Sequence, residues 1–229
     1  MLAPDGIIPH AFNQKRAVKL LIDWVESNQI KPEKTVDLPR GVYLPLWTFD
    51  LGGALDYVGE KIDDSEIQFN RRQPKMVRVS DSYPVQVNDI PIPASRKLSA
   101  VFLRLIPTFE LRAVKPYDPR YLANWPAEVY DIPMAEASLD ARAQSLARYK
   151  RDLPTLLAPV QLISTSSANM SVESFRLNLL PVWMTELPFG GREHLVLING
   201  MNGTVKSDLP EKSKESRGLF EWLGDLLEE

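Results

Sequence analysis

The chain has 229 residues, of which 44% are hydrophobic and 25% charged, the balance of an ordinary globular protein. It contains no cysteine, which excludes disulfides, thiolate zinc sites and cysteine nucleophiles and fits a reducing compartment. The formal net charge of −3 excludes a strong overall attraction to nucleic acid or to an anionic membrane.

The first ten residues, MLAPDGIIPH, lack the basic segment and the long apolar core of a signal peptide. No apolar run approaches the roughly 20 residues of a membrane-spanning helix. We therefore expect a soluble, cytoplasmic protein without a membrane span.

Three helices are predicted along the chain. In the first, Asn13 is the expected N-cap and Pro32 ends the segment. The second begins near Ser95 and stops at Pro107, and the third covers about 133–153. The predicted packing faces are Val18, Leu21, Ile22 and Val25 with Trp24 at the margin, then Leu98, Val101, Phe102 and Leu105, then Leu139, Ala143, Leu146 and Tyr149.

The remaining segments indicate strands. We expect a hairpin over 40–62 that turns at Gly52–Gly53, and one or two further strands over 65–80. In the last third, Gly190–Gly191 and the sequence NGMNG predict two turns between alternating strands. The aromatic-rich segment 109–133 is expected to be an ordered connection.

A short sequence motif occurs twice. Leu44-Pro45-Leu46-Trp47 and Leu180-Pro181-Val182-Trp183 share Leu-Pro-x-Trp, and each is followed by Gly-Gly within a few residues. We interpret the two copies as strands in which proline opens an edge strand and tryptophan, on the same face, covers the core. Coincidence is the alternative to a duplication.

The chain also resembles a known family at five segments: PDGIIPHAF, GVYLPLWTFD, PYDPRYLANWPAEVYDI, LLPVWMTELPFGG and LINGMNGTVKSDLP. These are similar to the domain that follows a zinc ribbon in bacterial proteins of uncharacterised function, some labelled as relatives of a primosomal helicase. The resemblance spans about residues 3–210. The ribbon with its four zinc ligands is absent here, so a metal site or nucleic-acid role carried by the ribbon cannot be transferred. No phosphate-binding GxxxxGK[ST] loop is present, so the helicase label finds no support. Many relatives have a membrane span after the last motif, where this chain has an acidic segment that is too short to span.

The final segment, GLFEWLGDLLEE, carries the sharpest functional hypothesis. Its apolar residues recur at helical spacing opposite four carboxylates, so it predicts an amphipathic helix that docks on a protein partner or on a second copy. Folding back onto its own domain is the alternative. The predicted docking residues are Leu219, Phe220, Trp222, Leu223, Leu226 and Leu227.

Two other classes of function stay open. Arg71, Arg72, Lys75 and Arg78 form the densest basic stretch, within 70–78, which a nucleic-acid-associated module could use to contact phosphates. An enzyme with an unrecognised carboxylate site is the third class, although Asp63, Asp64 and Glu66 are typical of a solvated loop. His10 and His194 have no partner at a characteristic spacing, and neither a metal site nor a cofactor is expected.

We therefore predict an α+β protein of mainly antiparallel sheet with about three helices. If the repeated motif is a duplication, the chain has two related halves, 1–106 and 107–209. A polar linker, 210–217, and an amphipathic C-terminal helix, 218–229, follow the domain of residues 1–209. The predicted function is a non-catalytic interaction or scaffold domain with a C-terminal docking helix.

Overall fold

The computed structural model describes residues 3–62, 75–97 and 100–209. These residues form one mixed, mostly antiparallel sheet of eight strands with three α-helices, so the predicted α+β class is confirmed. The helices are α1 (Gln14–Ser27), α2 (Ala100–Leu105) and α3 (Met134–Leu156). The strands are β1 (Gly6–Ile7), β2 (Arg40–Ile62), β3 (Met76–Pro93), β4 (Lys115–Pro116), β5 (Gln161–Ser166), β6 (Met170–Phe189), β7 (Arg192–Asn199) and β8 (Val205–Ser207).

Two long antiparallel strands, β2 and β6, form the centre of the sheet and pair from Arg40↔Met184 to Gly53↔Met170. On its other side β2 pairs with β3, and β6 pairs with β1 and then with β7. β5 continues the sheet beside the outer part of β2, and β8 extends it beyond β7.

Both faces of the central strands are buried. One face carries Trp47 and Trp183: α3 packs at the Trp47 end, and α1 packs at the Trp183 end. Between these ends, the irregular segment 117–127 covers the face. The opposite face carries Leu44 and Leu180, against which Phe102 and Leu105 of α2 pack. The helices and the 117–127 segment therefore cover both faces of the central strands β2 and β6.

The predicted hairpin at Gly52–Gly53 is wrong, because β2 runs straight through both glycines. The pairing with β3 and β6 shifts at Asp50 and Leu51, which marks a β-bulge, and Gly53 has φ +108°. A Cβ at Gly53 would lie 2.1 Å from the carbonyl oxygen of Asn169, so glycine permits a close approach rather than a turn. The turn at Gly190–Gly191 is confirmed, with φ +63° and +76°.

The helices lie near the predicted positions, although α2 begins at Ala100 rather than near Ser95. The predicted packing faces of α1 and α3 are right in part, since Leu21, Trp24 and Val25 pack in one core cluster and Leu146 and Tyr149 pack against another. Asn13 is the N-cap of α1 and accepts a hydrogen bond from the Arg16 amide. However, Ile22 is 49% exposed, and α3 leaves Leu139 63% exposed and runs two residues past Pro154. Small side chains let each helix approach the sheet closely, so the buried faces are Ala17 and Leu21 in α1, and Ala137, Ala141, Ser145 and Leu153 in α3.

The Leu-Pro-x-Trp prolines lie in central strands, so the predicted edge position is wrong. The backbone N–H and C=O of Tyr43 point away from β6 and form hydrogen bonds with Pro126 and Glu128 in the 126–128 segment. The backbone of Pro45, two residues later in the strand, points to the same side. There the outer partner of β2 changes from that segment to β3. Proline is tolerated because its missing N–H falls at this change of partner.

The two Leu-Pro-x-Trp copies lie directly against each other, with Leu44 opposite Leu180. On the outer sides, Trp47 is opposite Ile92 in β3, and Trp183 is opposite Ile198 in β7. The Pro45 carbonyl accepts a hydrogen bond from Ala94 N at 3.1 Å, and the Pro181 carbonyl accepts one from Gly200 N at 2.8 Å. The outer pairings of the two tryptophans and the hydrogen bonds of the two proline carbonyls thus correspond.

The same relation extends to the segments that precede the helices. Ile7 pairs in parallel with Leu179, and Ala127 pairs in parallel with Tyr43. Six residues after each of these pairs comes a helix N-cap, Asn13 for α1 and Pro133 for α3. Each helix packs on strands that are distant from it in sequence: α1 covers β6 and β7, and α3 covers β2 and β3.

This exchange of helices predicts that neither half folds alone. Fragments 1–106 and 107–209 each leave a tryptophan-bearing sheet face uncovered, so each is expected to lack cooperative unfolding by circular dichroism. When the two fragments are mixed, we expect a folded 1:1 complex. A cooperative transition in either fragment by itself would contradict the interlocked arrangement.

Candidate functional site

Four rings from distant parts of the chain meet at the Trp183 end of the sheet: His10, Tyr43, Trp125 and Trp183, here called the aromatic box. The centroid of the His10 ring lies 5.1 Å from that of Tyr43, 4.5 Å from that of Trp125 and 5.0 Å from that of Trp183. The edge-to-face and tilted arrangements are those that aromatic rings prefer. The box is thus a packed cluster with a titratable ring at its centre.

Two glycines make this packing possible. A Cβ at Gly41 would lie 2.2 Å from Cδ1 of Trp125, and a Cβ at Gly200 would lie 2.6 Å from Nδ1 of His10. Any larger residue would displace a ring, so the backbone of β2 and of the β7–β8 turn is itself part of the box.

Four polar atoms of the aromatic box are buried and make no hydrogen bond of normal geometry among the described residues. They are both ring nitrogens of His10, the Tyr43 hydroxyl and Nε1 of Trp183. The corresponding indole of the other half differs, because Nε1 of Trp47 donates to the Ile132 carbonyl at 2.9 Å. The two tryptophan settings are therefore alike in packing and unlike in hydrogen bonding.

Burial also decides the charge state of the box. Removal from water lowers the pKa of His10 to about 4, and the Val42 backbone opposes this only in part. Burial likewise raises the pKa of Tyr43. Both groups are therefore neutral near pH 7, and no carboxylate of residues 3–62, 75–97 and 100–209 bonds to His10 to orient it as a general base.

The second histidine is held between two charged side chains. Nε of Arg192 donates to Nε2 of His194 at 3.1 Å, so the proton of the neutral ring lies on Nδ1, which contacts a carboxylate oxygen of Asp208 at 3.1 Å. Both ring nitrogens are engaged, and the side chain is 3% exposed. The interaction fastens β7 to the residue after β8 and leaves no free nitrogen for catalysis. Sequence spacing did not reveal it, because Asp208 is fourteen residues from His194.

A groove of about 540 Å³ opens beside the last described residues, and we call it the α1–β8 groove. Its lining comes from the end of α1 and the residues after it, from Arg104 and Phe189, and from β8 together with Leu209. None of the described residues that line it is acidic, and two are basic. The lining residues are Trp24, Asn28, Gln29, Ile30, Arg104, Phe189, Val205, Lys206, Ser207 and Leu209.

Most of the residues predicted from the sequence to form sites lie outside the described ranges. They include Arg71 and Arg72, the acidic group Asp63, Asp64 and Glu66, and the six docking residues Leu219, Phe220, Trp222, Leu223, Leu226 and Leu227. Lys75 and Arg78 are exposed beside and on β3, and Arg78 pairs across the strands with Glu60. Within the described residues, no three histidine, aspartate or glutamate side chains are placed to hold a metal ion.

Comparison with known proteins finds a relative but not a family. The chain is 22% identical over 223 residues to "Uncharacterized protein YdjG" of Bacillus subtilis, a match that covers 91% of this chain and 64% of that protein. The chain thus spans less than two thirds of the length of that relative. No protein-family model and no solved structure matches.

Among the helices of residues 3–62, 75–97 and 100–209, none has the length and hydropathy needed to cross a membrane.

Proposed function

We propose that this protein is a non-catalytic interaction domain that binds a protein partner through residues 218–229. The observation that carries the proposal is the α1–β8 groove, an apolar surface with basic residues that is lined by Leu209, which eight residues separate from this segment in the sequence. Helix-in-groove recognition joins an apolar groove to the apolar face of an amphipathic segment, which is the pattern that residues 218–229 have in the sequence.

The interior supports a binding role rather than catalysis. The aromatic box is filled by its own rings, and both nitrogens of His194 are engaged by Arg192 and Asp208. Asp50 accepts hydrogen bonds from the Ser174 hydroxyl and the Asp89 amide, which lower its pKa. These groups are used within the fold, and a reaction would need them free and directed at a common point.

Three further features belong to the same proposal. We infer that the two halves arose by duplication, which the matching contacts around Leu44 and Leu180 support. We also infer that the chain corresponds to the domain that follows the ribbon in the zinc-ribbon family. The segments that carry that resemblance supply all four rings of the aromatic box, and the relative extends well beyond the match. Lack of cysteine supports a cytoplasmic location.

A pull-down tests the binding role. The full chain is compared with the variant Trp222→Asp/Leu223→Asp, and Glu221→Gln serves as a control on the polar face of the same segment. We expect a partner to be captured by the full chain and by the control but not by the double variant. The captured protein, once purified, is then expected to bind the full chain directly.

Nucleic-acid binding is the second candidate, favoured by the exposure of Lys75 and Arg78 at the end of the β2–β3 ribbon. Filter binding with DNA and RNA at increasing salt tests it, because contacts to phosphates weaken steeply with salt. No salt-dependent binding at micromolar protein would remove this candidate. The carboxylate enzyme is the third candidate, and a deep polar pocket with converging acidic groups would revive it.

A further inference from the structure

The described surface also indicates what covers the docking segment before a partner binds. We propose that residues 218–229 bind in the α1–β8 groove of their own chain, so that a partner must displace them from it. This inference rests on the proposed role of the segment in binding, and it adds that the groove covers the apolar face of the segment until a partner binds.

The apolar lining of the groove suits the apolar face of the segment. Trp24, Ile30, Phe189, Val205 and Leu209 contribute side chains from four separate parts of the chain. The volume of the groove, about 540 Å³, lies within the range that is usual for ligand-binding pockets in proteins. The segment offers Phe220 and Trp222, the kinds of side chain that anchor most helical ligands.

The charges of groove and segment are opposite. Arg104 and Lys206 line the groove, and Arg104 also donates to the carbonyl of Ser207, which is another lining residue. The segment carries Glu221 and Asp225, followed by two more glutamates. Acidic side chains next to the apolar contact would meet these cations, which gives the docking an orientation.

The residues between Leu209 and Leu219 can connect the groove to the segment, and they are few enough to keep the segment near it. Ten residue steps separate Leu209 from Leu219, which span at most about 35 Å when extended. Leu209 itself lines the groove, so a connection of this length is enough to bring the segment to it. A tether of this length gives an effective concentration in the millimolar range, which favours the segment of the same chain over that of a second copy.

Disulfide trapping tests the proposal, because the chain has no cysteine of its own. Val205→Cys places a thiol in the groove, and Leu223→Cys places one on the apolar face of the segment. Under mild oxidation we expect an intramolecular disulfide. The matched control adds Phe220→Asp/Trp222→Asp, which keeps the tether and both thiols but removes the apolar anchors.

We expect the disulfide to form at least tenfold faster in the pair than in its control. Equal rates would overturn the proposal, and so would disulfide-linked dimers in place of monomers, since the occupant would then be a second copy. Adding Lys206→Glu to the pair is expected to slow trapping, and an unchanged rate would contradict the charge match.

A second measurement uses no cysteine. A dye-labelled peptide of residues 218–229 is titrated against the full chain and against its Trp222→Asp variant, with anisotropy as the readout. We expect about tenfold tighter binding to the variant, in which the native segment no longer competes. Equal affinity, or no binding to either, would overturn self-docking. The pull-down would still report separately on the binding role.

Discussion

Replacing Trp47 with phenylalanine is expected to destabilise the protein more than the same replacement of Trp183. Both indoles are almost fully buried, at 1% and 2% exposed, and each lies opposite an isoleucine of a neighbouring strand. Only Trp47 donates a hydrogen bond, to the Ile132 carbonyl. Its loss leaves that oxygen without a donor, which costs about 1–3 kcal/mol beyond the loss of packing.

The two substitutions act as controls for each other, because the packing change is matched. Denaturant unfolding should give a free energy lower by about 1–3 kcal/mol for Trp47→Phe than for Trp183→Phe. Alanine at either position should cost about 3–5 kcal/mol, since a large buried ring is removed. Equal losses for the two phenylalanine variants would mean that the Trp47 hydrogen bond contributes nothing.

The second large effect is a loss of stability in mild acid caused by His10. The pKa of His10 is about 4 in the folded protein and 6.5 in the unfolded chain. Between these values the unfolded chain binds a proton that the folded protein does not, so stability rises with pH. The contribution of neutral His10 to the free energy of unfolding is fully present above pH 6.5. It is lost as the pH falls from 6.5 to about 4, a total change of about 3 kcal/mol.

Unfolding free energies measured from pH 7.5 to pH 4, for the natural chain and for His10→Phe, isolate this contribution. Phenylalanine keeps a ring in the aromatic box but does not titrate, so the difference between the two curves should contain the His10 contribution. The lowered pKa of Asp50 acts below its ordinary 3.8, outside this window. A difference curve that stays flat would show that His10 titrates normally in the folded protein.

Local signals in the sequence predicted much of the fold. The Asn13 cap, the Gly190–Gly191 turn and the NGMNG turn depend on residues close in sequence, and all three are confirmed. The prediction of a hairpin at Gly52–Gly53 is wrong because a pair of glycines occurs both in turns and where two backbones approach closely. Only the position of Asn169, more than a hundred residues away, decides between these uses.

The aromatic box could not be predicted from the sequence, because its rings come from four segments that only the topology brings together. No periodicity connects His10 with Trp125, and neither ring lies in a regular strand or helix. The repeated Leu-Pro-x-Trp motif was the available signal, since it places Trp183 on a buried face. It also led to an error, because proline suggested an edge strand where the structure has the centre of the sheet.

The most direct measurement of the proposed function combines binding and stability in one variant, Trp222→Asp/Leu223→Asp. We predict that this chain loses at least tenfold in affinity for the purified partner. Its free energy of unfolding should change by less than about 1.5 kcal/mol, because residues 3–209 contain the core clusters. Unchanged affinity would contradict a binding role for residues 218–229, and a chain that no longer folds would mean that they belong to the core.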